Sequence, residues 1–377
     1  MNILAIESSC DETAAAIIRD GREILSNVVV SQIDIFKAYG GVIPEVAARS
    51  HLEAMLPVVH QAFEDAGFQK DGEDDWDKID AIAVTHTPGL LGSLLIGTLT
   101  ARTLAILHNK PLYPVHHLKS HIYASWLSDG DDLPEFPLLA LVVSGGHTQI
   151  IHMKKHNDFE IIGTTRDDAV GECFDKVAKI LGLPYPGGPS IAAAAKNGDP
   201  LKYRLPHPQI EGLDFSFSGL KTAVLRAVQK ELGKPISFPS HQLAPLLNEQ
   251  QVADFAASFQ QTAIEILLEK LATATRDYPA KSLVIAGGVS ANNLLREETL
   301  MAFSEEYKRS AAREKSEKDF SRRVTLEEKA VKVHFPDIKL TGDNAAMVGA
   351  AAFYEIESGV QPTDPYKLNI LPRSDIY

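Results

Sequence analysis

Three histidines lie close together in Val115-His116-His117-Leu118-Lys119-Ser120-His121. If this stretch is helical, His117 and His121 stand one turn apart on one face, because residues four apart in a helix are stacked neighbours. Two imidazoles so placed suit one metal ion, with a third ligand arriving from a distant part of the chain. The plainer reading is a pair of solvated or packed side chains at a helix start. Position 118 is Leu rather than Glu, so the zinc-protease arrangement, with a general base between the histidines, is absent. Asp343, in Thr341-Gly342-Asp343-Asn344, is the candidate third ligand, and its plainer job is to cap a helix. Two histidines and one carboxylate leave positions open for water or substrate, as a catalytic metal requires. His116 is read as supporting or structural.

A second group of residues points to phosphate. Four loops rich in Gly, Ser, Thr and Asp sit at the ends of expected strands, at residues 7–13, 144–148, 185–189 and 287–293. Backbone amides in such loops can approach a phosphate because glycine places no side chain in the way. One such loop is only a tight turn, whereas four at equivalent places favour a nucleotide site. None matches the G-x-x-x-x-G-K-S/T loop or a strand-linked G-x-G-x-x-G. Asp175 could accept ribose hydroxyls or pair with Lys179 along a helix, and His147 and Lys221 are equally open.

The elements that must hold these residues follow from hydrophobic periodicity. Strands are expected at residues 2–6, 14–18 and 24–30, then a helix from Pro44 with apolar positions to Phe63, a polar loop over 67–78, a strand at 79–85 and a buried helix over 90–107. A strand at 110–115 leads into the histidines. The second half repeats the opening, with a strand at 138–143, a small polar turn and a return strand at 149–153. Helices are expected at 171–181, 191–196, 221–231 and 249–275, a strand at 282–286 before a helix from about 294, extended chain at 333–340, and a final helix through 354. This is an α/β chain whose two lobes begin alike, a duplicated fold closing on a shared cleft. The expected division is a first lobe of residues 1–126 completed by 344–377, a linker at 127–137, and a second lobe of 138–343. The latter carries a charged insertion at about 303–332, whose balanced signs read as a solvated helix rather than a nucleic-acid arm.

The chain has 377 residues, 45% of them hydrophobic, enough for two cores. A net charge of −13 argues against gripping nucleic acid unaided, since that rests on clustered Lys and Arg. Cys10 and Cys173 indicate neither a disulfide framework nor a cysteine zinc site, and a reducing cytoplasm is expected. The amino terminus reaches Glu7 without a basic region, so no signal peptide is expected, and the apolar stretch at 90–107 carries too many polar residues for a membrane span.

Several motifs together resemble one family. They are Glu7-Ser8-Ser9-Cys10-Asp11-Glu12-Thr13, Tyr39-Gly40-Gly41-Val42-Ile43-Pro44-Glu45, the His117 and His121 pair, Val143-Ser144-Gly145-Gly146-His147-Thr148, Gly171-Glu172-Cys173-Phe174-Asp175-Lys176, Tyr185-Pro186-Gly187-Gly188-Pro189, Asp214-Phe215-Ser216-Phe217-Ser218-Gly219, Gly287-Gly288-Val289-Ser290-Ala291-Asn292 and Asp343-Asn344-Ala345-Ala346-Met347. In this order they resemble the bacterial TsaD proteins, tRNA N6-adenosine threonylcarbamoyltransferases. The resemblance implies a two-lobed fold of the actin, Hsp70 and sugar-kinase (ASKHA) type, with iron or zinc held by His117, His121 and Asp343. It implies threonylcarbamoyl-AMP as substrate, its adenylate against Val142, Val143, Ser144, Gly145, Gly146, Asp175, Gly188 and Asn292. N6 of the adenosine 3′ of the anticodon, in tRNAs reading codons that begin with A, would attack the carbamoyl carbon, forming t6A and releasing AMP. Asp11 and Glu12 would orient substrate or relay a proton. Implied partners are tRNA, TsaB-like and TsaE-like proteins and a TsaC-like synthase supplying the adenylate, with no membrane. The residues depart from the family at Lys119, Phe36 and Gly342, where an acid, a His and a Thr are common. Rival readings are a metalloprotease, which the missing Glu opposes, a small-molecule kinase of the same fold, which needs no histidine pair, and a noncatalytic scaffold, which would lack the ligands.

Overall fold

The computed structural model describes residues 1–127, 130, 132–208, 210–304 and 331–373. The charged insertion expected at 303–332 falls almost wholly outside the described residues, as do three positions of the expected linker. In chain order the strands are β1 (Asn2–Glu7), β2 (Glu12–Arg19), β3 (Glu23–Ser31), β4 (Gln69–Lys70), β5 (Glu73–Asp74), β6 (Ala81–Thr87), β7 (Leu112–His116), β8 (Leu138–Val143), β9 (Thr148–Lys155), β10 (Asp158–Thr164), β11 (Ser282–Ala286) and β12 (Lys332–His334). The helices are α1 (Ile33–Lys37), α2 (Pro44–Asp65), α3 (Leu91–Leu107), α4 (His117–Tyr123), α5 (Val170–Leu181), α6 (Gly187–Ala195), α7 (Ser218–Glu231), α8 (Glu249–Asp277), α9 (Asn293–Phe303) and α10 (Ala345–Glu357). No helix of the described residues is long and apolar enough to cross a membrane.

The chain divides into two compact units, the first of residues 1–133, 153–160 and 336–377, the second of 134–152 and 161–335. Asp343 therefore lies in the first unit, not in the second as the expected boundary at 343 would have it. The reason is local: the turn before α10 is held by its own helix cap, and α10 packs on the sheet of the first unit. The tip of the β9–β10 hairpin also belongs with the first unit, which periodicity could not indicate.

In the first unit the sheet order is β3-β2-β1-β6-β7, with β1–β2 and β2–β3 antiparallel and β1–β6 and β6–β7 parallel. Ile3, Leu4, Ala5 and Ile6 of β1 are all fully buried. A central strand covered on both faces reads as a continuous apolar run rather than an alternation. Leu4, Ile6, Ile17, Ile82 and Val84 share a core with Met55, Val59 and Phe63 of α2. On α10 every residue from Ala345 to Ala352 is buried. A Cβ on its Gly349 would lie 2.7 Å from Ile18 Cγ1, so glycine there lets the helix lie close on the sheet.

The second unit repeats the plan, with sheet order β10-β9-β8-β11-β12. Each sheet thus runs third, second, first, fourth, fifth among its own strands, the topology expected of a duplication. Its core joins Leu139, Leu141 and Val143 of β8 to Phe174 of α5 and to Phe255, Phe259 and Leu267 of α8. The 29-residue α8 starts at a capping box of Asn248 and Gln251.

Four local expectations change. β10 is a strand missed by the sequence reading, and residues 67–78 contain the short β4–β5 hairpin as well as a turn. Residues 333–340 are extended only through β12 and then form a 3-10 turn at Ile338–Leu340. α6 begins at Gly187, so Gly188 sits in a first helical turn instead of a free loop.

Candidate metal centre and nucleotide loops

α4 starts where His116 caps it, its Nδ1 accepting the Leu118 amide at 3.2 Å. That fixes His116 in a structural role and turns His117 and His121 onto one face. All seven α4 residues are buried. Asp343 reaches the pair because Asn344, one residue later, takes the helix cap: its Oδ1 accepts the Met347 amide and its Nδ2 donates to Leu340 and Gly342 carbonyls. The capping job expected of Asp343 is thus done by its neighbour. Asp343 Oδ1 lies 3.1 Å from His121 Nε2 and 3.5 Å from His117 Nε2.

These separations fit two ligands of one ion, since donors about 2.1 Å from a metal and adjacent in its shell are about 3.0–3.4 Å apart. His117, His121 and Asp343 form a group able to hold a metal, with donor atoms all within 4.8 Å of one another. His121 supplies a further observation, because both its ring nitrogens are buried and neither makes a hydrogen bond. A buried imidazole without hydrogen bonds costs stability unless something else engages it. Chemically the donor set suits zinc or iron.

Residues outside the sequence-predicted set surround the triad. Glu7, at the end of β1, is fully buried; its Oε2 lies 3.1 Å from His117 Nδ1 and accepts from Thr85 Oγ1 at 2.6 Å, while Oε1 accepts the Ser9 amide at 2.5 Å. Ser9 Oγ is 3.2 Å from the same His117 nitrogen. Burial alone would push the Glu7 carboxyl up, but the His117 charge and hydrogen bond outweigh it and hold Glu7 below the usual carboxylate range. Burial likewise pushes His117 down, and the Asp343 and Glu7 carboxylates overcome it, raising His117 to about 9. An acid closing an otherwise apolar buried strand was the available signal for Glu7.

The 7–13 loop is fastened from two helices. His51 of α2 is buried, with Nδ1 2.8 Å from Thr13 Oγ1 and Nε2 3.0 Å from the Cys10 carbonyl. From α3, Ser93 Oγ donates to the Cys10 carbonyl, and Ser8 Oγ donates to the Ser93 carbonyl. Asp11 is buried at the end of this turn, and Glu12, which opens β2, accepts from Ser31 Oγ at 3.2 Å. Burial, then the Asp343 and Asp11 charges, push the Glu12 carboxyl well above its ordinary range. Burial and the same acids push the Cys10 thiol up, so it stays protonated.

In the second unit the expected nucleotide residues come from adjoining turns. Val142 and Val143 end β8 with buried side chains, and Gly145 and Gly146 are exposed. The Ser144 amide bonds the His147 carbonyl, closing the turn. A Cβ on Gly171 would lie 2.5 Å from the Ser144 carbonyl, and one on Gly287, whose φ is +90°, would lie 2.4 Å from that of Val143. Glycine is required at both close approaches, which draw the α5 start and the turn after β11 against this loop. Asp175 Oδ1 accepts the Gly187 amide at 2.6 Å, joining α5 to the first turn of α6 that holds Gly188. Asn292 caps α9 through the Leu295 amide and donates to Gln260. Lys221 lies on α7, apart from these turns in sequence.

The family model described as "TsaD: tRNA N6-adenosine threonylcarbamoyltransferase" matches residues 23–350. A protein of that name from Symbiobacterium thermophilum is 46% identical over 360 residues, covering 95% of this chain and 93% of that one. Another from Thermomicrobium roseum is 44% identical over 373 residues, covering 96% and 93%. Among solved structures, HypF of T. kodakarensis superposes with a TM-score of 0.56 at 14% identity, over 95% of this chain and 48% of that one. This likeness concerns the fold alone, which is α/β of the ASKHA type. The identity along nearly the whole chain settles the family: the chain belongs to the TsaD family, the tRNA N6-adenosine threonylcarbamoyltransferases.

Proposed function

We propose that this protein forms t6A by moving a threonylcarbamoyl group from threonylcarbamoyl-AMP to N6 of the adenosine 3′ of the anticodon, in tRNAs reading codons that begin with A. The transferase activity is that of its family, and tRNA is accordingly its substrate. The observation that carries the metal-assisted reading is the convergence of His117, His121 and Asp343, with His121 otherwise without hydrogen bonds.

In this reading His117 Nε2, His121 Nε2 and Asp343 hold iron or zinc. Such an ion, when bound, supplies a Lewis acid for charge developing on the carbamoyl oxygen. The chain's own residues do the rest. Glu7 and Ser9 fix the His117 ring, and His51 and Ser93 hold the loop that carries Asp11 and Glu12. As N6 attacks the carbamoyl carbon, an N–C bond forms and the C–O bond to phosphate breaks, the electron pair leaving with AMP. The amine's proton passes to the Asp11 and Glu12 pair, which orients the amine beforehand. The backbone of 142–146 and the first turn of α6 at Gly188 receive the leaving phosphate, while Asp175 and Asn292 bound the nucleoside. Amides aimed at a leaving phosphate stabilise it most as its charge grows.

The partners proposed are TsaB-like and TsaE-like proteins, with a TsaC-like synthase providing the adenylate, all in the cytoplasm where tRNA is modified. The two lobes are proposed to correspond to the two compact units, residues 1–133, 153–160 and 336–377, and residues 134–152 and 161–335.

The deciding experiment is nucleoside analysis of tRNA from cells depleted of this protein and rescued with wild type or His117→Ala. Depletion should remove t6A, wild type should restore it, and His117→Ala should not. Normal t6A after depletion refutes the assignment, and equal rescue by His117→Ala refutes the metal-holding role.

A further inference from the structure

We propose that Glu7 is the positioning residue that makes His117 a metal ligand, by accepting the Nδ1 proton and so leaving Nε2 bare toward Asp343. The inference rests on the metal reading above and assigns a residue outside the triad.

An imidazole binds a metal only through a nitrogen that carries no proton, and the partner of its other nitrogen decides which one that is. Two oxygens compete for His117 Nδ1, Glu7 Oε2 at 3.1 Å and Ser9 Oγ at 3.2 Å. A hydroxyl donates or accepts with equal ease and therefore selects neither tautomer. A carboxylate only accepts, so Glu7 requires the proton on Nδ1. Its orientation is fixed as well. The side chain is fully buried, and the Ser9 amide on Oε1 and the Thr85 hydroxyl on Oε2 hold it from two sides. Those donors come from the turn after β1 and from the neighbouring parallel strand β6. The sheet itself thus sets the carboxylate against the ring, and Nε2 faces Asp343 Oδ1 at 3.5 Å.

Glu7→Gln isolates this function. The new carbonyl can still accept the Ser9 amide, and the Thr85 hydroxyl can turn to accept from the new amide. That same amide would donate to Nδ1, forcing the ring proton onto Nε2, where the ion must bind. Volume and burial are unchanged.

The test is zinc affinity of the metal-stripped full-length protein, measured by chelator competition, for wild type, Glu7→Gln and Ser9→Ala. Glu7→Gln should weaken binding roughly 10- to 100-fold, the range for losing a residue that orients a ligand, and Ser9→Ala less than about threefold. Equal affinity of Glu7→Gln and wild type overturns the proposal, as does a Ser9→Ala loss as large as that of Glu7→Gln. Should Glu7→Gln fail to fold, nitrogen NMR of zinc-loaded wild type with labelled histidine decides: a proton on His117 Nδ1 with zinc on Nε2 supports it, and the reverse overturns it. Wild type that binds neither zinc nor iron would instead remove the metal reading on which the proposal rests.

Discussion

Asp343 and Asn344 divide two jobs that the sequence reading set in competition. Asn344 satisfies the start of α10, so the Asp343 carboxylate is left for the histidines. Asp343→Asn should therefore leave the helix cap intact and weaken zinc binding by more than about 100-fold, beyond the loss expected for a merely orienting residue. Isothermal titration reads the affinity, and an affinity within threefold of wild type would exclude Asp343 as a ligand. The proton transfer proposed for Asp11 and Glu12 is tested separately. Burial and then the Asp343 and Asp11 charges push the Glu12 carboxyl up. Asp11→Asn and Glu12→Gln should each slow single-turnover transfer by about 10²- to 10⁴-fold without changing zinc affinity. A variant that lost metal and rate together would mark a structural role instead. The histidine pair was legible because its spacing is local to one helix. Glu7 and Thr85 were not, because their meeting depends on the register of β1 against β6, which no local pattern states.

At the scale of elements, a departure noted in the sequence finds its physical reason. Lys119 is buried in α4 between the two histidines, 3.7 Å from Glu355 of α10, and its ammonium stands over the Phe159 ring at 4.7 Å. Burial pushes Lys119 down and Glu355 up, each partner partly opposing this. Breaking such a pair costs roughly 3–5 kcal/mol, whereas replacing both partners by apolar residues can be neutral. Lys119→Glu should accordingly destabilise by about that amount in denaturant unfolding, and Lys119→Met with Glu355→Leu by far less. Equal losses would show that the charges themselves are not what matters. The hairpin tip carrying Phe159 also brings His156, stacked on Tyr354 at 4.2 Å, and this packing explains why residues 153–160 belong with the first unit. Alternation alone could propose a strand there, but not where its end would lodge. In the second unit His207 bridges Glu265 and Glu269, one turn apart on α8, at 3.1 and 3.2 Å. The Glu265 and Glu269 hydrogen bonds raise His207 to about 9 against an ordinary value near 6.5. A group raised on folding contributes stability fully below its unfolded value and loses it as pH rises through the folded one. His207→Gln should therefore cost about 1 kcal/mol at pH 6, after allowance for solvent screening, and almost nothing at pH 10. Unfolding curves at the two pH values check the sign, and a cost that grew with pH would refute it.

At the scale of the whole molecule, duplication was readable because both halves open with a strand, a small polar turn and a strand, and the two sheets share one strand order. The boundary was misplaced because the chain returns to its first unit before Asp343, following a helix cap rather than a change in composition. What periodicity cannot show is which apolar residues stay outside. On α2, Leu52 and Leu56 are 68% and 63% exposed, although Met55, Val59 and Phe63 of the same helix are buried. On α3, Leu91, Leu95 and Leu99 recur every fourth residue with 60%, 41% and 44% exposure, forming one stripe. A Cβ on Gly92 would already lie 3.0 Å from Ala48 Cβ, so the two helices pack closely within the first unit. Contiguous exposed apolar patches of sufficient size mark association surfaces, so the exposed leucines of α2 and α3 are the positions to test. They are the positions at which association with the TsaB-like partner proposed above is tested. Leu56→Glu combined with Leu95→Glu should abolish co-elution with that partner in size-exclusion chromatography. Because both positions are exposed, unfolding free energy should change by no more than about 0.5 kcal/mol for each substitution. Zinc affinity, which the proposed triad would set, should be unaltered. Unchanged association would move the docking surface elsewhere, while loss of association together with stability would show that these leucines serve the fold.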